Sequence, residues 1–245
     1  MNWKTMVVLL SLQSIAIPHI YAAEPGTVAE GYHGLVDSWI NGEIESEALM
    51  DEIGILEDTL ARAGSTWDNL YWLARIALIR GQIHYERGDK EASLLELDKS
   101  HVLIRESISV QDHSDSWRIM SEASSLIMVQ KGFAFIILNF SKSRKQAERS
   151  LELDPRNARA HLIIAQFLTN APRIAGGNLK KGIAVLRDQA SRNDLISEDE
   201  FLLLLTLSEA LQKSKQTDEA ASARQEALGI FPGYRKGPTV VIDKS

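Results

Sequence analysis

Beyond residue 24 the pattern of apolar and polar positions is helical nearly everywhere. Leu70, Leu73, Ala77, Gly81 and His84 recur at steps of three or four and fall on one helix face. Leu94, Leu97, His101 and Ile104 repeat the pattern one segment later, and Phe201–Leu211 and Ala220–Leu228 are two further runs. The one β-branched run, Thr239–Ile242, lies near the end of the chain with no partner strand in view. Thr27 with Glu30 and Ser197 with Glu200 have capping-box spacing, and Thr217 precedes two acids that suit a helix N-terminus. Gly42, Gly64, Gly88, Pro155 and Pro232 act as stop signals. Together these predict about ten helices, over roughly 27–40, 44–63, 67–86, 90–106, 115–138, 142–152, 157–170, 178–191, 198–213 and 217–230. The connections are short, which implies antiparallel neighbours.

The helices also recur in pairs. The last unit carries Ser208, Ala220, Ala227 and Pro232; an earlier one carries Ser143, Ala147, Ser150 and Pro155. A first unit has Gly81, Gly88, Ser93, Leu97 and Ser100, and a third has Ala165, Gly177, Gly182 and Leu186. These spacings resemble the tetratricopeptide repeat (TPR), a helix–turn–helix unit of about 34 residues. The resemblance covers residues 70–232 and is strongest in Ala158–Leu168 and Phe201–Pro232. It departs from the family pattern where corresponding points (Ser93, Ser143, Gly182 and Ala220) lie further apart than about 34 residues, and where signature aromatic positions are aliphatic. The turn Pro172-Arg-Ile-Ala-Gly176-Gly177 is weakly similar to one found in TPR proteins associated with bacterial transport systems. The resemblance implies an all-α fold, a right-handed α-solenoid of antiparallel helix pairs. A single helical pair cannot bury both its apolar faces, so such units stack around a shared core and need end caps. Residues 24–66 read as the N-terminal cap, with Leu35 and Trp39 as its core, 67–232 as the repeat domain and 233–245 as a tail.

Residues 1–23 read as a secretory signal peptide. Lys4 supplies a positive start, Met6–Ile17 an apolar stretch, and Ala22 and Ala23 a small-residue end. An apolar segment of about 7–15 residues suits a signal, whereas a spanning helix needs roughly 20; the other reading is an uncleaved anchor. The expected mature protein is periplasmic or secreted, without stable membrane insertion. The residue after the expected cleavage points is not Cys, so no lipid anchor is expected there.

Composition narrows the function classes. The chain has 27 Lys+Arg against 33 Asp+Glu, a net charge of −6, which disfavours a dedicated nucleic-acid binder. The chain has no Cys, which excludes disulfides, thiolate metal sites and Cys nucleophiles. No H-E-x-x-H or H-x-x-E-H pair occurs, and no G-x-S-x-G elbow frames a serine beside His113-Ser-Asp115. His84 and His101 sit on apolar faces and read as hydrogen-bonded core or groove histidines. Glu198-Asp199-Glu200 reads as an acidic first helical turn, since consecutive helix residues point in different directions. Gly176-Gly177 lacks the G-K-[ST] ending of a phosphate loop and reads as a turn. Trp39, Trp67, Trp72 and Trp117 read as helix-crossing core in preference to pocket lining. No catalytic residue, cofactor or metal set is predicted.

The TPR resemblance implies that first helices of each pair line a concave partner surface. By register this surface takes Arg75, Gln82, Tyr85 and Glu86, then Phe135 as an apolar floor, then Arg159, Gln166 and Asn170, then Glu209 and Gln212. Mixed polar groups of this kind suit a polypeptide segment better than a compact apolar ligand. The expected function is therefore a non-enzymatic exported scaffold or adaptor for a polypeptide partner in the cell envelope. The alternative is a small-molecule-binding accessory component of an envelope transporter, which a continuous apolar cavity lined by Phe133, Phe135 and Trp117 would favour. A homo-oligomer formed through an apolar end unit is compatible with either. As solvated groove residues, Arg75 and Arg159 are expected to tolerate replacement without loss of stability.

Overall fold

A computed structural model describes residues 25–234. The expected signal segment and most of the expected tail, including Thr239–Ile242, lie outside these residues. Within them the chain is all-helical, with no strand. The helices are α1 (Pro25–Ile40), α2 (Ser46–Ala63), α3 (Trp67–Glu86), α4 (Lys90–Val110), α5 (Ser114–Lys131), α6 (Phe133–Leu153), α7 (Ala158–Asn170), α8 (Leu179–Ala190), α9 (Ser197–Lys213) and α10 (Thr217–Ile230), with a 3-10 turn at Arg173–Ala175. No helix among the described residues is long and apolar enough to cross a membrane.

Two kinds of boundary differ from expectation. The first concerns caps. Thr27, Ser197 and Thr217 lie inside their helices, and neither Ile196 nor Gln216, the residues in cap position before α9 and α10, makes a side-chain cap. The side chains that do accept an orphan N–H are Thr66, Asp89, His113, Asn157 and Asn178, at the starts of α3, α4, α5, α7 and α8. The second is the end of α5. Periodicity carries the expected helix to residue 138, but Gly132 at φ +89° breaks it there, a left-handed backbone that a side chain would strain.

Small residues set how the pairs meet. On α4, Ser93, Ser100 and Ser107 each donate a side-chain hydrogen bond to α3, to the carbonyls of Gly81 (2.5 Å), Ala74 (2.8 Å) and Trp67 (2.8 Å). As the serine number rises by one heptad, the carbonyl number falls by one heptad. Ser114 and Ser121 of α5 similarly donate to the carbonyls of Ser150 (2.9 Å) and Ser143 (2.8 Å) on α6. In the last pair, Ser208 of α9 donates to Ala220 of α10 at 2.8 Å. A serine at such a point is small enough for two backbones to close up, and its hydroxyl meets its hydrogen-bonding need without water. The corresponding points Ser93, Ser143, Gly182 and Ala220 all stand at these close crossings, against Gly81, Ser121, Thr169 and Ser208 respectively.

Two apolar clusters run through the stack. One joins α1–α5 to Phe201, Leu204 and Leu205 of α9 and to Phe231; the other joins α7, α8, α9 and α10 around Leu162, Leu186, Leu203 and Leu211. Trp39 and Trp72 are buried in the first cluster, and Trp67 and Trp117 pack against its edge. α1 packs on α9, far along the chain. Its exit is fastened to the end of α10, where Gly233 N–H donates to Asn41 Oδ1 at 2.8 Å. A Cβ on Gly233 would lie 1.8 Å from the Asn41 carbonyl oxygen, so only glycine permits this approach.

Ala227 is fully buried in the last pair, so Ala227→Leu should overpack it and lower stability by about 1–3 kcal/mol. Ser100→Ala, which removes one rung and keeps the close approach, should cost only about 1 kcal/mol. Urea denaturation followed by circular dichroism checks both, and equal stability of Ala227→Leu and the parent chain would contradict the packing described.

Candidate functional site

The first helices α3, α5, α7 and α9 each present charged side chains to a common interior. Arg75 comes from α3, Arg118 and Glu122 from α5, Arg159 from α7, and Glu198 and Asp199 from the first turn of α9. Glu198 is the hub. Its Oε1 accepts from Arg159 Nη2 at 2.5 Å and its Oε2 from Arg75 Nη2 at 3.3 Å, while His33 of α1 stands 3.6 Å from the same Oε2. Arg159 Nε also reaches Asp199 (3.2 Å) and Glu122 (3.6 Å). Arg118 donates to the Tyr71 hydroxyl at 2.8 Å and to Glu122 at 3.4 Å, and Arg75 points a second nitrogen at the same hydroxyl at 3.4 Å. Asn157 closes the far end, donating to Asp115 and Ser114 at 3.0 Å each while its own carbonyl caps α7.

α1 roofs this cluster. The Arg75 guanidinium lies 4.5 Å from the Tyr32 ring centroid and 5.3 Å from that of Trp72, so an aromatic face covers what the carboxylates do not. Arg75, Arg118 and Glu198 are almost wholly buried, at 5%, 3% and 5% exposure. Burial alone would raise the Glu198 pKa, but Arg159, His33 and Arg75 outweigh it and hold the carboxyl well below the usual range. Asp199 goes the other way: burial and the adjacent Glu198 charge raise it, against the pull of Arg159. Burial likewise raises Asp37, one helical turn on from His33, and the Glu198 charge adds to the rise. Tyr32 is pushed up to about 12 by burial, partly offset by Arg75.

Beside the cluster lies a cleft of about 110 Å³ between α1, α3, α5, α7 and α9. Val36, Trp39, Leu78, Leu162, Phe201 and Leu205 form its apolar walls, and Gln82, Glu122, Arg159 and Gln166 its polar ones. That space is comparable to the roughly 150 Å³ cavity that takes one benzene ring.

The expected groove residues separate into three groups. Gln82, Arg159, Gln166, Asn170 and Glu209 line this one cleft. Asn170 is engaged there by the Lys213 ammonium. Arg75 is a correction: it is buried beneath Tyr32 and bound to Glu198, not displayed to solvent, because α1 occupies the space that register alone leaves open. Arg159 is also largely buried, at 14% side-chain exposure, although it reaches the cleft. Tyr85, Glu86 and Gln212 lie away from the cleft, with Glu86 and Gln212 exposed. Phe135 packs against the core with the Lys131 ammonium 5.0 Å from its ring. Sequence reasoning missed Arg118, Glu122 and Tyr71. Glu122 could have been found, since it follows the crossing residue Ser121 as Gln82 follows Gly81. Glu198 reads as a dipole-favouring acid and is one, but it is also the shared partner of two arginines. His113 proves to be the α5 cap, stacked 4.4 Å from Trp67, and Gly176-Gly177 closes a 3-10 turn. Among the described residues no group of His, Asp or Glu could hold a metal ion.

No family model matches this chain, and no curated protein matches it either.

The geometry reverses the expected tolerance of the arginines. Arg75→Ala together with Arg159→Ala strips Glu198 of both cations, and Glu198→Ala leaves the arginines facing each other; each should cost about 3–5 kcal/mol. Chemical denaturation checks this, and stability within 1 kcal/mol of the parent (about the value of one ordinary hydrogen bond) would contradict the buried network. Tyr32 supplies a pH test. Its folded pKa of about 12 lies above its ordinary value of 10.0. The stability it confers is therefore complete below pH 10.0 and lost as the pH rises through 12. Unfolding free energy should fall across that window, and Tyr32→Phe should flatten the fall.

Proposed function

We propose that this protein is a non-enzymatic binding module, an exported TPR-like scaffold whose helix pairs form a right-handed α-solenoid and whose cleft receives an anchoring side chain of a polypeptide partner in the cell envelope. One observation carries the reading. Five side chains singled out by register as partner-facing, Gln82, Arg159, Gln166, Asn170 and Glu209, line a single cleft that also has apolar walls. A pocket with apolar walls and a few convergent polar groups is the usual form of a recognition site. The opposed order of the serine bonds supports antiparallel pairs. With α1 laid across the interior, the space left suits one bulky side chain and not the long extended segment that an open groove would take.

The small volume and apolar walls also favour the second reading, a small-molecule-binding accessory component of an envelope transporter. Trp117, one of the residues that reading named, lines a different groove, and Phe135 packs against the core.

A photo-crosslinking amino acid in place of Gln166 separates the two. The expected result is a polypeptide adduct in cell-envelope preparations that is absent when the crosslinker replaces Lys180, and that Thr206→Trp, which fills the cleft, suppresses at least fivefold while melting stays unchanged. Equal adducts from both positions would remove the cleft from consideration, and an adduct of small mass alone would establish the second reading in its place.

A further inference from the structure

A second groove, sharing no residue with the cleft, runs between α4 and α6 over α5, with a volume of about 850 Å³. Its walls carry Arg105 from α4 and Lys142, Lys145 and Arg149 from α6. Arg149 is engaged by Asp112 at 2.6 Å and by Glu152 at 2.8 Å. Arg105, Lys142 and Lys145 are exposed, and none of the three forms an ion pair among the described residues. Both Arg105 and Lys142 act on His101 between them; burial and then these two cations lower its pKa, the mark of a local positive field in a chain of net charge −6. Asp98 is the only carboxylate lining the groove.

The floor is not polar throughout. Val102, half exposed at 47%, lines it together with Ile108, Met120 and the Trp117 ring. Trp117 is held in place by its indole N–H, which donates to Asp112. Beside these lies a hydrogen-bonded set in which Ser124 donates to Gln146 Oε1 at 3.0 Å and meets His101 Nε2 at 3.1 Å. Gln146 is buried, yet its Nε2 amide takes part in no hydrogen bond among the described residues.

We infer that this groove docks an acidic, partly apolar segment of a polypeptide partner. Charge complementarity names the occupant: three unpaired cations on two facing walls call for carboxylates, the Trp117–Val102 floor for an apolar side chain, and the Gln146 amide for a main-chain carbonyl. Length agrees. The α4 wall from Asp98 to Ile108 spans about 15 Å at the helical rise, which matches four or five extended residues at about 3.3 Å each. An anionic lipid fits less well, since Asp98, His101 and Gln146 put polar groups beside the apolar positions that an acyl chain would need. The groove stands independently of the cleft reading, because each site can be altered alone.

The test is nuclear magnetic resonance on the full chain with nitrogen-15 labelling, reading the Trp117 indole N–H peak, which Trp117→Phe identifies. The probes are an acetylated Glu-Leu-Glu-Glu amide, its Lys-Leu-Lys-Lys counterpart, and vesicles of phosphatidylglycerol. The acidic peptide should move the peak saturably and the basic one should not. Lys142→Glu with Lys145→Glu should weaken the acidic peptide at least tenfold, whereas Lys180→Glu with Lys181→Glu should leave it unchanged. Should the first pair impair folding, Lys142→Gln with Lys145→Gln should still weaken binding at least threefold. No movement with the acidic peptide, undiminished binding to the Lys142/Lys145 variants, or a peak moved by vesicles and not by peptide would each overturn the inference, the last in favour of a membrane surface.

Discussion

Everything between α1 and α9 turns on one carboxylate. Glu198 takes two arginines from two different helices and faces a histidine from a third, in a space almost closed to water. Arginine is suited to this, because its planar fork can hold an oxygen of Glu198 with one nitrogen and another acceptor with the next. Such an arrangement is expensive to desolvate and is weak evidence of net stability, but few other helix placements would pair its charges. A helix in place of α1 with no aromatic ring would leave the face of the Arg75 guanidinium uncovered, and α9 turned by one residue would leave a buried charge without a partner. The network therefore selects which helix lies across the interior and in what register.

The same logic explains where sequence reasoning held and where it did not. Helices α3 and α10 fall where the periodicity puts them, since a helix of that length with one apolar face has few other ways to bury it. The pair spacing was legible because the serines and alanines at close crossings are constrained by volume, a property written in each residue type. Gly132 was not, because glycine inside a periodic run is compatible with a continuing helix until the backbone sign is known. The caps were legible only as a class. Thr66 and Asn157 cap α3 and α7, while Ser197 with its well-spaced Glu200 lies inside α9 and makes no cap.

For the site, register identified residues on the interior face of the first helices but not what else would occupy that face. Arg75 was placed correctly on its helix and wrongly in its surroundings, because a separate helix from the start of the chain covers it. Tyr71 and Tyr32 carry no motif; their role exists only once three helices are brought together. Residues drawn from distant segments into one cluster are the part of a structure that local pattern reveals least.

The serine ladder has a mechanical side. Within the α3–α4 and α5–α6 pairs, hydroxyl-to-carbonyl bonds pin one backbone to the other at points one heptad apart. Between α4 and α5 the ties among the described residues run from side chain to side chain, Ser107 to Ser116, Ser124 to His101 and Gln130 to Ser93. The pairs are thus stiff plates, and the seams between them are compliant joints where side chains slide without breaking a backbone tie. The groove between α4 and α6 bridges such a seam, so a segment bound across it would act as a splint, transmitting load from one plate to the next.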